Sequence, residues 1–166
     1  MENIISIIVS NLSNVLSKEM IVFIISLFPV LELRGGMIAA SLMGVPFKNA
    51  VIYSVAGNIL PIPFILLFLN KVFDLMEKNK HTKKLVLYFR NKAHKHKKTI
   101  EKYGYLSLIL FVGIPLPGTG AWTGSLIASV FEMDIKKSII CILLGIILAL
   151  IIMSIISYGI VGNIIR

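Results

Sequence analysis

Two polar interruptions in otherwise apolar sequence carry the residues best suited to chemistry. The first, FPVLELRGG (28–36), holds Glu32 and Arg34, and the second is PLPGTGAWTG (115–124). A helix that begins after each break, near Gly35–Gly36 in the first segment and near Ala121–Gly124 in the second, would present unpaired N–H groups and a partial positive charge, which favour an anion. The spacing predicts a site in which Arg34 and backbone N–H groups hold an anionic group such as a phosphate, with Glu32 balancing Arg34 while the site is empty. The alternative is an ion pair that holds the fold together and binds no ligand.

The candidate substrate site includes further residues of both interruptions and one amide. Thr119 and Thr123 can cap a helix or donate a hydrogen bond, and Trp122 is either a stacking surface for a ligand or part of the packing. Asn58 lies in the next apolar segment, where an amide needs a hydrogen-bonding partner that is either structural or a ligand. The predicted substrate-binding residues are Glu32, Arg34, Gly35, Gly36, Asn58, Pro117, Gly118, Thr119, Gly120, Trp122, Thr123 and Gly124, and the predicted helix breaks are Pro29, Pro115 and Pro117.

The composition indicates a membrane protein. Hydrophobic residues make up 57% of the chain, the mean hydropathy is +0.89, and long apolar runs recur from Ile21 onward. The lone Cys141 has no partner for a disulfide or a thiol metal site, and the apolar segments contain no Ser/His pair, Cys/His pair or metal-ligand set. We therefore expect neither an enzyme nor a cofactor.

A basic segment divides the chain. Eleven of the 17 Lys and Arg residues lie between Lys71 and Lys102, where there are only three acidic residues. The positive-inside rule places this segment in the cytoplasm, facing anionic headgroups, and nucleic-acid binding is disfavoured. Its histidines lie among lysines that would repel a metal cation, so we expect them to be solvated. The predicted lipid-surface residues are Lys83, Lys84, Arg90, Lys92, Lys95, Lys97 and Lys98.

The parts of the chain on either side of the basic segment match each other at a shift of 88 residues. Nine of 32 aligned positions are identical. Matching proline, glycine and lysine residues are harder to obtain by chance than matching Ile or Leu, so the sequence predicts two copies of one unit. The informative matches are Pro29 with Pro117, Gly36 with Gly124, Lys48 with Lys136, and Gly57 with Gly145.

Each copy is predicted to be a re-entrant helical hairpin followed by a long transmembrane helix, in an all-α integral membrane fold. The apolar pieces before the interruptions are about 13 to 16 Å long, half of a hydrocarbon core of about 30 Å. A full span would place Glu32 and Arg34 near the bilayer centre at roughly 2.5 to 3.5 kcal/mol each. A hairpin buried in protein avoids exposing broken backbone to lipid, and units that each cross once form an inverted repeat. Four conventional spans, two per unit, are the alternative.

These considerations assign every part of the chain. An amphipathic N-terminal helix over 1–17 lies in the interface or, alternatively, makes one short span. The remaining boundaries are unit 1 at 18–73, with its hairpin at 20–44 and transmembrane helix at 47–73; the basic cytoplasmic linker at 74–102; and unit 2 at 103–166, with its hairpin at 104–131 and transmembrane helix at 136–162.

Several segments resemble a known family. FPVLELRGG, VAGNILPIPFILLFLN, EKYG and FVGIPLPGTGAWTGSLIA closely resemble the small multidrug export protein family of prokaryotic membrane proteins, which is similar to a distant branch of the DedA/VTT superfamily. The resemblance implies a multi-pass protein of the cytoplasmic cell membrane with re-entrant hairpins. It also implies a link to polyprenyl-phosphate and phospholipid translocation and to proton or sodium gradients. The family's charged signature positions fall on Glu32 and Arg34.

Together these features favour a small transporter, coupled to an ion gradient, with a midplane site between the two hairpins. We expect it to move an anionic lipid or a lipid-linked carrier such as a polyprenyl phosphate. Its expected partners are the bilayer, anionic headgroups, the lipid or small amphipathic substrate, and H+ or Na+, and a homo-oligomer is also compatible with the sequence. The alternatives are an exporter of small amphipathic or cationic compounds and a non-transporting membrane scaffold.

The re-entrant topology predicts which loops share a side of the membrane. In a Cys141→Ala background, single cysteines at Lys18 and Lys48 should both react with an impermeant thiol reagent from outside, and those at Lys78 and Asp134 only from the cytoplasm. Reaction of Lys18 and Lys78 from the same side, with Lys48 and Asp134 on the other, would instead establish four spans.

Overall fold

A computed structural model describes residues 16–78, 83, 84, 87, 103–116 and 118–161, and these residues are almost entirely helical. In the order of the chain the α-helices are α1 Lys18–Leu27, α2 Glu32–Leu42, α3 Phe47–Ile59, α4 Pro61–Lys78, α5 Tyr105–Gly113, α6 Ala121–Val130 and α7 Ile135–Ser154, and α7 is followed by a π-helical segment, Ile155–Val161.

The two interruptions each separate a pair of short helices. Ser17 starts α1 by accepting a hydrogen bond from the Met20 N–H at 3.3 Å, as a helix N-cap does. The chain turns after α1, and α2 begins at Glu32, earlier than the start near Gly35 that the sequence suggested. In the second unit α6 begins at Ala121, as predicted. Both hairpins therefore consist of two helices that are each too short to cross a bilayer.

Two longer stretches are long and apolar enough to cross a membrane. They cover Phe47–Leu69 and Ile135–Gly159, close to the predicted transmembrane helices at 47–73 and 136–162. The first is interrupted at Leu60, between α3 and α4. Because Pro61 has no backbone N–H, it cannot donate to the preceding turn, and the helix is locally broken there.

The outer faces of these stretches are apolar. On α4 the exposed side chains include Phe64, Leu67 and Phe68. On α7 the exposed large apolar residues follow the helical repeat as a single stripe, and they are Ile140, Leu144, Ile147 and Ile151. A continuous exposed apolar surface of this kind is unfavourable in water and fits contact with lipid.

The two units pack against each other through the second short helix of each unit, which lies against the long segment of the other unit. Within each unit the first short helix lies against the long helix, α1 on α3 and α5 on α7. Between units, α2 packs on α7 and α6 packs on α4. The shared core contains side chains from both units, including Leu33, Met37, Ile142, Ile146 and Ala128. Neither hairpin is therefore covered by its own unit alone.

The 88-residue register of the sequence recurs in the backbone. Glu32 and Gly120, which are 88 residues apart, both have positive φ, 49° and 129°, at the start of the second short helix. Gly44 and Glu132 likewise both have positive φ, 68° and 50°, after the end of that helix. Equivalent positions thus share a positive φ even where the residue type differs. Inversion of the two units relative to a membrane stays a prediction.

Some of the predicted regions lie outside the described residues. These are most of the N-terminal segment, 1–15, and the lipid-surface residues Arg90, Lys92, Lys95, Lys97 and Lys98. Lys83 and Lys84 are described, and both are helical and exposed.

Two glycines in equivalent positions set the distance between the first short helix and the long helix. A Cβ on Gly57 would collide with the Phe23 carbonyl oxygen, and one on Gly145 would lie 2.6 Å from Val112 Cβ. We expect Gly57→Val and Gly145→Val each to destabilise the protein by about 1 to 3 kcal/mol, the usual cost of overpacking. The measurement is the melting temperature of purified protein in detergent. Ala56→Val, on the exposed face of α3, is the control, and an equal effect there would contradict the packing role.

Candidate functional site

Glu32 of the first unit caps a helix of the second unit. Its carboxylate accepts hydrogen bonds from the Ala121 N–H at 3.0 Å and the Trp122 N–H at 3.1 Å, the first two N–H groups of α6. Those groups have no partner within their own helix, and α6 has no side-chain cap of its own. A carboxylate at a helix N-terminus is favoured both by these bonds and by the helix dipole.

Gly120 provides the space for this contact. Its φ of 129° is a conformation that favours glycine. A Cβ at this position would collide with the Glu32 carboxylate oxygens and would lie 2.6 Å from Glu32 Cδ. Glu32 is only 4% exposed, so its carboxylate has little room to move aside. The Glu32 carboxylate can therefore occupy this position only because residue 120 has no side chain.

Arg34, which lies on α2 with Glu32, hydrogen-bonds to the interruption of the second unit. Its guanidinium donates to the Leu116 carbonyl at 2.6 Å, the Ile114 carbonyl at 3.1 Å and the Thr119 hydroxyl oxygen at 2.7 Å. These carbonyls follow the end of α5, where helix C-terminal oxygens lack intrahelical partners and a cation is favoured. The planar guanidinium group has several N–H donors and can therefore bond to these three acceptor oxygens at once.

The second unit makes the equivalent contact in return. Trp122 lies 88 residues after Arg34, and its indole N–H donates to the Leu27 carbonyl at 3.2 Å. Leu27 is the last residue of α1. Each unit thus sends a side-chain donor from the first turn of its second short helix to the end of the other unit's first short helix. A two-fold relation between the units would produce reciprocal contacts of this kind, and that relation stays a prediction.

The two charges therefore act between units. We expected Glu32 to balance Arg34, and the structure shows hydrogen bonds that this expectation did not include: each charged group bonds to the second unit, at helix ends of opposite polarity. The difference has a physical reason: a buried carboxylate or guanidinium needs several hydrogen bonds, and a broken helix supplies exposed backbone groups that need partners of their own. Each charge satisfies backbone that the break leaves unpaired.

The structure brings together only part of the predicted site. Glu32, Arg34, Thr119, Gly120 and Trp122 meet at the contact described above. Four others lie elsewhere or do not take part: Gly118 is exposed, Thr123 is half-buried on α6, Gly35 packs on Leu31, and Gly124 packs on Val112. The break residues Pro29 and Pro115 lie in the two interruptions, and Pro117 lies outside the described residues.

A second polar group lies within the first unit, where Gly36 faces α1 and α3. A Cβ on Gly36 would collide with the Ser26 hydroxyl and lie 2.9 Å from Ser54 Oγ. Ser54 and Asn58 are one turn apart on α3, and both are buried. Among the described residues, Ser54 Oγ and Asn58 Oδ1 have no hydrogen-bond partner. They are therefore free to bond to a molecule that enters this region.

The sequence did not indicate every participant in the site. The carbonyls of Leu27, Ile114 and Leu116 and the N–H of Ala121 are backbone groups, whose role depends on where the helices end and not on residue type. Ser54 carried one usable signal, since it lies four residues before Asn58 and so shares its helical face.

Fold and site together define an all-helical membrane protein built around two mutually capping, interrupted helical hairpins. The chain belongs to the family described as "Putative small multi-drug export protein", whose model matches residues 32–152. The matched range begins at Glu32 and includes both halves of the site. No curated protein and no solved structure matches the chain.

The capping role of Glu32 predicts a specific loss of stability. Glu32→Gln removes the charge but keeps one acceptor oxygen, and Glu32→Ala removes both bonds to α6. We expect losses of about 1 to 3 kcal/mol, larger for Ala, as for hydrogen bonds to charged groups. Thermal melting of the purified protein measures the effect. Glu19→Gln is the matched control, because Glu19 lies in the first turn of α1 and its carboxylate accepts a 3.3 Å bond from Asn49 of the same unit. Equal melting temperatures for Glu32→Ala and Glu19→Gln would contradict the capping role.

Proposed function

We propose that the protein is a transporter of an anionic amphiphile, either an anionic lipid or a lipid-linked carrier such as a polyprenyl phosphate, driven by a proton gradient. The observation that carries the proposal is the Glu32 carboxylate bound to the first two N–H groups of α6. A helix N-terminus with free N–H groups is an anion site. Glu32 occupies it as a built-in anion, which a substrate phosphate can replace.

The neighbouring donors suit a phosphate. The backbone N–H groups of Ala121 and Trp122 would be released together when the Glu32 carboxylate leaves. Arg34 is in the first turn of α2, as is Glu32. A phosphate offers more acceptor oxygens than a carboxylate and is matched by planar Arg geometry. The exchange is favourable only if the displaced carboxylate is not left charged in an apolar environment.

Protonation of Glu32 meets that requirement. A neutral carboxyl group accepts the α6 N–H groups more weakly than a carboxylate does and is less costly to bury without a partner. Proton uptake by Glu32 from one side would therefore free the anion site, and release of the proton to the other side would restore the cap and expel the substrate. Sodium coupling is the other outcome that the experiment below distinguishes.

The reciprocal contacts between units support an alternating mechanism. Arg34 and Trp122 hold the two interruptions together from opposite units, so breaking one contact need not break the other. In the inverted-repeat arrangement with re-entrant hairpins that we propose, these two contacts would lie on opposite sides of a midplane site. Opening them alternately would give access from one side at a time in the cell membrane.

Export of small amphipathic or cationic compounds is the second candidate, and the family description favours it. In this case the displaced Glu32 carboxylate itself would bind the substrate cation. The two candidates differ in which charged residue touches the substrate. Arg34 is the binding residue for an anion and Glu32 for a cation.

Transport into proteoliposomes tests the proposal. We compare a labelled polyprenyl phosphate with a fluorescent lipophilic cation, under an imposed proton or sodium gradient, in the wild type, Arg34→Gln, Arg34→Lys and Glu19→Gln. Arg34→Gln should reduce transport of the phosphate by about 10- to 150-fold, the loss of one charge-assisted contact of about 1.4 to 3 kcal/mol. Arg34→Lys should restore it in part, and Glu19→Gln should match the wild type.

Glu32→Gln separates coupling from binding in the same assay. It should still bind the phosphate but no longer respond to the proton gradient, since it cannot change its charge. Transport of the cation alone, lost in Glu32→Gln and kept in Arg34→Gln, would overturn the proposal in favour of the exporter. A sodium gradient that drives transport at constant pH would overturn proton coupling.

A further inference from the structure

Three uncharged polar side chains of the first unit are buried where α1 and α3 meet α2. A Cβ on Gly36 of α2 would collide with the Ser26 hydroxyl of α1 and would lie 2.9 Å from Ser54 Oγ of α3. Asn58 lies one turn after Ser54 on α3 and therefore shares its helical face. Ser26 and Ser54 are fully buried, and Asn58 is 2% exposed. The side of α3 that meets Gly36 therefore carries a hydroxyl and an amide that are both buried.

Two of these side chains have an oxygen without a partner. Among the described residues, Ser54 Oγ and Asn58 Oδ1 have no hydrogen-bond partner. The Ser26 hydroxyl donates to the Val22 carbonyl at 2.8 Å, and its oxygen can still accept a bond. A buried polar group without a bond costs free energy, so such groups nearly always have a partner in the protein or in ordered water. The two oxygens therefore indicate a bound molecule.

The same place in the second unit is apolar. In the first unit Ser26 lies against two glycines, one on α2 and one on α3, which are Gly36 and Gly57. In the second unit Val112 lies against their counterparts, at 2.6 Å from the position of each absent Cβ. These counterparts are Gly124 and Gly145. Val112 therefore takes in the second unit the place that Ser26 has in the first.

The residues of α3 differ from those of α7 in the same way. At the 88-residue shift the counterpart of Ser54 is Ile142 and that of Asn58 is Ile146. Both isoleucines are buried in the shared apolar core. Serine is smaller than isoleucine or valine, so the two units differ here in side-chain volume as well as in polarity.

The number and spacing of the polar groups suit one water molecule. Residues one turn apart on a helix have Cβ atoms about 5 to 6 Å apart, and a water with two hydrogen bonds of about 2.8 Å spans roughly that distance. A buried water typically makes about three hydrogen bonds, and Ser26 can supply the third. A calcium or magnesium ion takes about six or more oxygen ligands, and none of the three side chains carries a charge that would balance a cation.

We propose that Ser26, Ser54 and Asn58 bind one buried water molecule, which links α1 to α3 beneath α2. The helix above this water carries Glu32 and Arg34, the two charged residues that bond to the second unit. The water would therefore support the helix from which both charged contacts are made. Its binding does not depend on which substrate the protein transports.

The sign of a change in melting temperature tests the site. If the two oxygens have no partner, Ser54→Ala and Asn58→Leu each remove an unpaired buried group and raise the melting temperature of the full-length protein in detergent. If the oxygens share a water, each substitution removes one of its bonds. We then expect each single variant to melt about 2 to 4 °C lower, as for the loss of one hydrogen bond in a protein of this size.

The double variant Ser54→Ala/Asn58→Leu tests whether the two residues share one water. It leaves neither oxygen in need of a partner, so it should lose less than the sum of the two single losses. Ser54→Ala combined with Ser129→Ala is the control, because Ser129 Oγ is also buried and unpartnered but lies on α6 of the second unit. The losses of this control pair should add. A higher melting temperature in either single variant, additive losses in Ser54→Ala/Asn58→Leu, or equal coupling in the control pair would overturn the proposal.

An X-ray structure of the full-length protein, at a resolution at which ordered waters are seen, identifies the bound molecule directly. One peak should lie within hydrogen-bond distance of Ser54 Oγ and Asn58 Oδ1 and should be missing in the double variant. The absence of a peak in the wild type would overturn the proposal. A peak with several oxygens at distances shorter than hydrogen bonds would show a metal ion and would also overturn it. Transport measurements remain an independent test of the Glu32 site.

Discussion

A broken helix inside a membrane leaves backbone N–H and carbonyl groups without partners, and the rest of this structure depends on how those groups are satisfied. Lipid offers no hydrogen bonds, so the partners must come from the protein. Here they come from the other unit: Glu32 bonds to the start of α6, Arg34 to carbonyls after the end of α5, and Trp122 to the end of α1. Neither hairpin is satisfied alone, which explains why the second short helix of each unit packs against the other unit as well as its own.

The same constraint connects stability with the proposed transport. A cap made of charged side chains from another unit is strong while the charge is present and weak when it is neutralised, so the contact that holds the units together can also be switched. A fully apolar interface would offer no such control. Within the first unit, Ser54 Oγ and Asn58 Oδ1 are further hydrogen-bonding groups that lack a partner. Among the described residues, neither oxygen is bonded to Glu32, Arg34 or Trp122.

The two units are similar without being equal, and the differences are where specific function is expected. Position 32 is a glutamate in one unit and its counterpart, position 120, is a glycine that makes room for it. Leu16 packs on the apolar cluster of the first hairpin, and its counterpart Gly104 lines an apolar pocket in the second. Residue differences at matched positions therefore distinguish the two units at the Glu32 contact and at the pocket.

The sequence by itself determined the helical membrane character, the two interruptions and the 88-residue register, because these depend on local composition, on proline and glycine, and on the repetition of residues along the chain. It also singled out Glu32, Arg34 and Trp122. Only the tertiary structure decided their partners, since those are, apart from the Thr119 hydroxyl, backbone groups some 80 to 95 residues away with no side-chain signature. Gly120 shows the division clearly: its type suggested a helix break, while its need to remain glycine comes from a carboxylate that arrives from the other unit.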